Sequence, residues 1–551
     1  MRTLLLIVTV AGAANVCDGQ TPRNIILSRD WDEGKLTLKL DDGSAEIEWI
    51  TPVTFRVSRI WGPGAGSPRM VHEAIFPAFE DSGQTISMKT RYITLMIDRG
   101  DMGMHVMSGD TPISNSSLAR TSAGVELRLG LKEDERVFGL MGGSSSTGLN
   151  LRGEKLERRQ GFLLTSAGYG VLMLSQGPWM FDLTDGVVRR GDAESIDYLF
   201  YYGPTPKEIV EQHATALNVN REVKSAALDL LSPEQVPKQA MRYGTKSANV
   251  LGDESPIDSW DALGALVRKL SAWSLSAILY PALDLASFDQ APRDVRQRAA
   301  DLSTMLPIVY RSAGESGMDA QLRAKWRPYL ITYLREAYDR GYPLIRPLPM
   351  QFSRDGNSGK QSDVFMLGDE VLLAPAITAG NKRRLDLPRG SWTDLRTNTE
   401  YHGNQTIEVD APAGQVPMFV RNGWIVPLEV QAREGQADDS PPKMELHYFP
   451  SLGGEFFLWE PDLGENSQFH AAPAGDYMRV EIETKVRRTY EWVLHHTKAP
   501  REVEEESGVY ARVDRREALT PGTWWHDAKL NNLHLMVRAE AGTDRIVNMS
   551  F

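Results

Sequence analysis

Cysteine is almost missing from this chain of 551 residues, with Cys17 the only one. If the segment that carries it is removed, the remaining chain can form no disulfide and do no thiol chemistry, so stability must come from large buried cores. Positive charge is also in deficit. The formal net charge of -12 argues against a nucleic-acid partner, whose phosphates demand a basic surface. No internal apolar run approaches the ~20 residues that a helix needs to span a bilayer. The ten histidines show no metal-ligand spacing and no glycine-rich phosphate loop is present, so neither a metal nor any other cofactor is expected. Internal repeats and low-complexity tracts are absent as well.

The length implies several domains, because single cores rarely grow beyond ~250–300 residues. The chain begins with a short positive stretch, Met1-Arg2-Thr3, and an apolar run from Leu4 to Ala14. Cys17 and Gly19 suit the −3 and −1 positions of a cleavage site, which would release a chain starting near Gln20 and send it to the periplasm or outside the cell. The alternative is a buried first helix. Ala14-Asn15-Val16-Cys17 is a poor lipoprotein box. Three sequons, at Asn115, Asn404 and Asn548, would carry glycans only in a eukaryotic host.

From Asn24 to about Asn218 the pattern alternates between polar and apolar residues. Lys35-Leu36-Thr37-Leu38-Lys39-Leu40, Ala45-Glu46-Ile47-Glu48-Trp49-Ile50 and Gly124-Val125-Glu126-Leu127-Arg128-Leu129 are examples, and together they predict a β-sandwich. Pro206 to Leu217 alone looks helical, with Pro206 in its first turn and Ile209, Val210 and His213 on one side. Between about Val219 and Met350 the reading changes to mixed α/β. Asp258 is placed as the cap of a helix whose apolar positions are Trp260, Leu263, Leu266, Val267 and Leu270. Ala277-Ile278-Leu279-Tyr280 reads as a strand. A longer helix starts near Asp319, carries Leu322, Trp326, Tyr329, Leu330, Tyr333, Leu334 and Ala337 on one face, should bend at Pro328 and stops at Gly341. Leu344-Ile345 reads as a buried strand. Alternation then returns in Arg384–Leu387, Thr406–Val409 and Met418–Val420. Gln431 to Lys443 reads as a linker before a last β-module with strands at Met444–Phe449, Glu455–Leu458 and Met478–Ile482.

Several stretches, in order, carry a resemblance. Arg136-Val137-Phe138-Gly139-Leu140 with Leu149-Asn150-Leu151-Arg152-Gly153 opens the series. Gly168-Tyr169-Gly170-Val171-Leu172 and Asp197-Tyr198-Leu199-Phe200-Tyr201-Tyr202-Gly203-Pro204-Thr205-Pro206 follow. Arg346-Pro347-Leu348, Asp363-Val364-Phe365-Met366-Leu367-Gly368-Asp369 and Leu372-Leu373-Ala374-Pro375 come next. Gly390-Ser391-Trp392-Thr393-Asp394, Tyr401-His402-Gly403 and Leu458-Trp459-Glu460-Pro461-Asp462 complete it. The chain thereby resembles glycoside hydrolase family 31, the α-glucosidase and α-xylosidase family. The resemblance implies a multidomain α/β plus β protein. It would have an N-terminal β-sandwich (20–218, after a signal peptide at 1–19), a (β/α) barrel (219–350), and two β-sandwich-like domains at 351–430 and 431–551.

The barrel is where the chain departs from the family. A complete barrel of this kind needs ~200–250 residues, whereas 219–350 offers room for about four strand–helix units of ~30 residues. The family's nucleophile lies in a Trp-x-Asp-Met-Asn-Glu type segment, and none exists here. Arg242-Tyr243-Gly244 with Val250-Leu251-Gly252-Asp253 resembles the stretch that carries the acid/base, which places Asp253 there and makes Arg242 a sugar contact. Asp284-Leu285-Ala286-Ser287-Phe288 resembles Asp-Ile-Gly-Gly-Phe and places Asp284 as a substrate-contacting aspartate. The usual Arg-x-His contact has become Arg311-Ser312-Ala313. Asp229 and Glu234 are the nearest carboxylates that could replace the nucleophile.

Each of these residues has a plain structural reading as well. Asp253 could simply start a helix, Asp229 and Glu234 could be solvated loop carboxylates, and Arg242 could form an ordinary ion pair. The pair Trp524-Trp525 could be a stacking surface or core. Two functions follow from this. In the first, the chain is an exported, degenerate homologue with a reduced barrel that binds an α-glycoside or a partner. In the second, it is a retaining α-glycosidase that hydrolyses O-glycosyl bonds with Asp253 as acid/base. A half-barrel would expose two strand edges, which a homo-oligomer could cover.

Overall fold

The computed structural model describes residues 24–63, 70, 72, 74–143, 148–159, 161–175, 177–217, 250–253, 256–310, 319–356, 358–430 and 443–551. The expected signal peptide and the called residues Asp229, Glu234, Arg242 and Arg311 to Ala313 lie outside these residues. Of Asp253 only the backbone is described.

Residues 26 to 202 form two antiparallel sheets of eight and nine strands. The first begins as a meander of Ile26–Asp32, Lys35–Leu40, Gly43–Thr51 and Thr54–Trp61, then continues through Ser195–Tyr202 to Val137–Gly139. Alternation does what it predicts here. Leu36, Leu38 and Leu40 are buried while Lys39 between them is exposed, and the inward sets of the two sheets share one core. The helix Pro206–Ala216 then buries Ile209, Val210 and His213, as expected.

A parallel three-stranded sheet follows, made of Val250–Asp253, Tyr280–Asp284 and Ile308–Tyr310. Helices Trp260–Ser274 and Arg293–Ser303 connect the strands. The first helix is capped by Ser259, whose side chain accepts from the Ala262 N–H, and not by Asp258. The strand expected at 277–280 starts at Tyr280 instead, because Ala277 holds a left-handed backbone (φ 61°) that an extended chain cannot contain. Residues 218–249 and 311–318, which a barrel would also need, lie outside the described residues. The long helix runs Ala320–Arg340, with Asp319 accepting from the Leu322 N–H and Gly341 closing it at φ 76°. It passes through Pro328 without ending.

The sheet at the C-terminal side begins earlier than expected. Ile345–Pro347 is buried, but it pairs antiparallel with Phe365–Leu367 and so belongs to the six-stranded sheet of the proximal module, ahead of the boundary placed at 350. Similarly, Ile425–Val430 pairs antiparallel with Lys443–Tyr448 in the first of two six-stranded sheets of the distal module. The expected linker, Gln431 to Lys443, lies outside the described residues up to residue 442, and the strands on either side of it are partners in one sheet. The long helix packs on this distal module. Tyr329 stacks on Phe456 (5.8 Å between ring centroids), and the Thr332 hydroxyl accepts from the Trp459 N–H at 3.0 Å. One continuous core runs through both.

Candidate functional site

A parallel sheet presents its strand carboxyl ends at one edge, which is where α/β folds collect their functional groups. Here the register aligns Asp253 with Leu283, and Asp284 with Tyr310. Asp253, Asp284 and Tyr310 are thus the last residues of three neighbouring strands. Asp253 and Asp284 sit one strand spacing apart, ~4.8 Å, with an offset of one residue.

Asp284 is 7% exposed. Its Oδ1 accepts the Ala286 N–H at 2.9 Å, capping the single 3₁₀ turn Leu285–Phe288. The two substitutions in this motif shape that turn. Ala286 supplies the N–H, and the Ser287 hydroxyl donates to the Asp284 carbonyl at 2.7 Å. The Ser287 carbonyl in turn accepts the Ile257 N–H at 2.8 Å, which fastens the loop that follows the first strand. One carboxylate oxygen of Asp284 is therefore committed to holding the turn. Asp229, Glu234 and Arg242 cannot be placed beside it, since they lie outside the described residues. Among the described residues no group of three or more His, Cys, Asp or Glu side chains could hold a metal ion.

The Arg346-Pro347-Leu348 and Leu367-Gly368-Asp369 motifs meet in a buried charged cluster. Arg346 is 0% exposed. Its guanidinium donates to the Pro343 carbonyl at 2.9 Å, to Asp369 and to Glu336, and it lies 4.9 Å from the Tyr333 ring centroid. Lys207, on the first helix after the sandwich, reaches Asp369 at 3.1 Å, and Gln351 also donates to it. Burial alone would raise the Asp369 pKa, but Arg346 and Lys207 outweigh it and hold the carboxyl below the ordinary carboxylate value. Neighbouring Glu370 behaves in the opposite way. Burial and the Asp369 charge push it up to about 8, although Tyr329 (2.7 Å) and Tyr333 (2.7 Å) both donate to it.

Gly368 is required at the turn of this hairpin. It sits at φ 66°, and a Cβ there would come within 2.3 Å of Tyr333. The cluster ties sandwich, long helix and proximal sheet together, so the motif is architectural. Lys207, Glu336 and Glu370 were not anticipated. The signal available was the pair of acids set between the buried apolar residues Leu367 and Val371.

The N-terminal signature has a similar role. Arg136 donates to the carbonyls of Ser353 (2.8 Å) and Asp355 (3.1 Å) and to the Ser358 hydroxyl (3.1 Å). Asn150 Oδ1 accepts the Val137 N–H at 2.9 Å. Trp524 is only 5% exposed and Trp525 packs on His534 (centroids 5.0 Å), so the pair is not a two-ring stacking platform.

Residues 341–426, which carry the hairpin and Arg346, Asp369 and Glu370 of the charged cluster, match the glycosyl hydrolase family 31 C-terminal domain. This match and the relatives below support glycoside hydrolase family 31. Alpha-glucosidase 2 of Bacillus thermoamyloliquefaciens is 30% identical over 168 residues, covering 30% of this chain and 21% of that protein. Family 31 folds superpose over nearly the whole chain. The Flavobacterium johnsoniae dextranase determined with isomaltotriose gives a TM-score of 0.77 at 12% identity, covering 97% of this chain and 100% of that one. The cycloalternan-forming enzyme of Listeria monocytogenes with a pentasaccharide substrate gives 0.76 at 14% identity, covering 96% and 77%. The aligned parts span 21% to 28% of the length of the curated relatives compared.

Proposed function

We propose that this chain is an exported family 31 protein with a reduced barrel that recognises an α-glycoside at the carboxyl ends of its parallel strands and does not turn it over. The observation that carries this reading is the placement of Asp253 and Asp284 at adjacent strand ends in a chain with no nucleophile segment. Retaining hydrolysis needs two carboxyl groups ~5–5.5 Å apart with one free to attack carbon. Asp284 has an oxygen fixed by the Ala286 N–H, which suits it to accept a sugar hydroxyl. The dextranase and the cycloalternan-forming enzyme, determined with isomaltotriose and a pentasaccharide, support an α-glucan as the class of ligand. The test is titration of the whole protein with isomaltotriose. Binding that slows hydrogen exchange across Tyr280–Asp284 and Leu285–Phe288 is expected, with that protection lost in Asp284→Ala, and undiminished protection of these residues in the variant would remove the reading.

The competing reading is a retaining α-glycosidase with Asp253 as acid/base and Asp229 or Glu234 as nucleophile. It is favoured by the position of Asp253 at a strand end, and it requires turnover of an aryl α-glucoside or α-xyloside that disappears in Asp253→Ala. Export rests on the Met1 to Gly19 segment and is tested by fractionation, where a cytoplasmic, full-length product would exclude it. Pairing of two copies across exposed barrel edges is excluded by a strictly monomeric mass at micromolar concentration.

A further inference from the structure

The junction of the proximal and distal modules contains an open cleft of about 770 Å³, formed where the 421–424 turn faces the 451–455 turn and the strand through His470. Its walls are set firmly. The Gly423 N–H donates to the Phe449 carbonyl at 2.6 Å, and the Tyr448 hydroxyl donates to the Leu452 carbonyl at 2.7 Å. Gly454 lets the two turns touch, because a Cβ there would lie 2.6 Å from the Gly423 carbonyl oxygen. Asn422 is held at both ends of its amide, by the Thr393 hydroxyl (2.9 Å) and by Glu400 (2.8 Å).

Against this fixed frame stand groups with unused capacity. Trp424 lines the cleft and is half-buried, and its indole N–H meets no acceptor among the described residues. Arg421 also lines it, and its guanidinium has no ion pair or hydrogen bond among the described residues, lying 5.8 Å from the Phe352 ring centroid. On the far wall His470 stands 4.0 Å from Glu455, with Leu452 81% exposed at the rim. The volume falls in the range of small-ligand sites, roughly 300–1,000 Å³.

We infer that this cleft is a second carbohydrate site, distinct from the parallel strand ends, and that it takes a neutral oligosaccharide of two or three hexose units. The chemistry is specific to that class. An indole face covers the apolar C–H face of a pyranose, and its rim groups supply both donors (Trp424 N–H, Arg421) and acceptors (Glu455, His470) for ring hydroxyls. An anionic ligand would share the cleft with the Glu455 carboxylate. A purely apolar ligand would leave these polar groups unpaired. Because the site uses no residue of the parallel sheet, it does not depend on the reading of Asp253 and Asp284.

The test is titration of the full chain with maltotriose and isomaltotriose, followed by tryptophan fluorescence and by hydrogen exchange across 421–424 and 451–455. Binding in the millimolar range with slowed exchange in both turns is expected. Trp424→Ala should weaken it at least about tenfold, as expected for loss of a stacked ring. Trp424→Phe, which keeps a ring, should retain most of it, and Arg421→Gln should weaken it with no change in melting. Asp284→Ala should leave protection of these turns intact even where it abolishes binding at the strand ends. Unchanged affinity in Trp424→Ala or Arg421→Gln would overturn the inference, as would no protection of the turns by either sugar. If Trp424→Ala does not fold, Arg421→Gln and the exchange pattern decide the matter.

Discussion

Replacing Arg346 by Met tests whether the family motif is architectural. The side chain is 0% exposed, and Met matches its stem length without its charge. The substitution removes donors to Pro343, Asp369 and Glu336 together. Removing one partner of a buried pair costs ~3–5 kcal/mol, because the other charge stays behind uncompensated. Asp369 keeps Lys207 and Gln351, and both acids retain some solvent contact, so the loss should fall near the lower end, ~3 kcal/mol. Urea unfolding followed by tryptophan fluorescence measures it, using the transition of the linked modules. Asp369→Asn and the double variant complete a cycle. Residues in one network couple by ~0.5–3 kcal/mol, and here a value above ~1 kcal/mol is expected. A cost below ~1 kcal/mol for Arg346→Met, or losses that add within ~0.5 kcal/mol, would refute the reasoning.

Three further outcomes follow. Gly368→Ala must hold an L side chain at φ 66° against Tyr333 and Tyr329, so it should lose ~3 kcal/mol or more through backbone strain and the displaced tyrosine–Glu370 bonds; a near-neutral urea midpoint would contradict this. Acid should destabilise the protein well above the carboxylate range. His213 is lowered to about 3 by burial, and His447 and His495, bonded to each other at 3.0 Å, are lowered by burial as well. Their unfolded forms take up protons first, so stability present above about pH 6.5 is lost as pH falls through that value. Glu370, raised to about 8, works in the opposite sense: its contribution is full below the unfolded carboxyl value and is lost as pH rises through 8. Three histidines less one glutamate leave a net uptake of about two protons, or ~2.7 kcal/mol per pH unit at its steepest. Urea midpoints that stay flat between pH 7 and pH 5 would contradict it. Asp284→Asn keeps an acceptor for the Ala286 N–H, so its melting should shift by less than ~1 kcal/mol while α-glycoside binding weakens; severe unfolding would make Asp284 a structural residue alone.

Much of the architecture could be read from local pattern. The long helix was legible at both ends, because Asp319 can cap and Gly341 can turn left-handed, and each effect lives within one turn of chain. Boundaries inside uniformly buried runs were not. Leu275 to Leu285 shows no alternation, and only the left-handed backbone at Ala277 decides where the strand can start. Asp258 and Ser259 can both cap a helix, and Ser259 is the one whose side chain accepts the Ala262 N–H from an extended backbone. The linker expected from Gln431 to Lys443 lies, up to residue 442, outside the described residues, and composition alone does not separate a connection between paired strands from a linker between domains. Asp253 and Asp284 are named from the family motifs alone, and the register puts them on neighbouring strands. The charged cluster was invisible, because Lys207 meets Asp369 across 162 positions of sequence.

The central claim, recognition of an α-glycoside without turnover, is tested most directly by assaying aryl α-glucoside and α-xyloside hydrolysis alongside isomaltotriose binding, in the full chain and in Asp253→Ala. Recognition without turnover predicts binding with no hydrolysis above the uncatalysed rate in either protein. Hydrolysis by the full chain that vanishes in Asp253→Ala would contradict it and establish Asp253 as the acid of a working glycosidase.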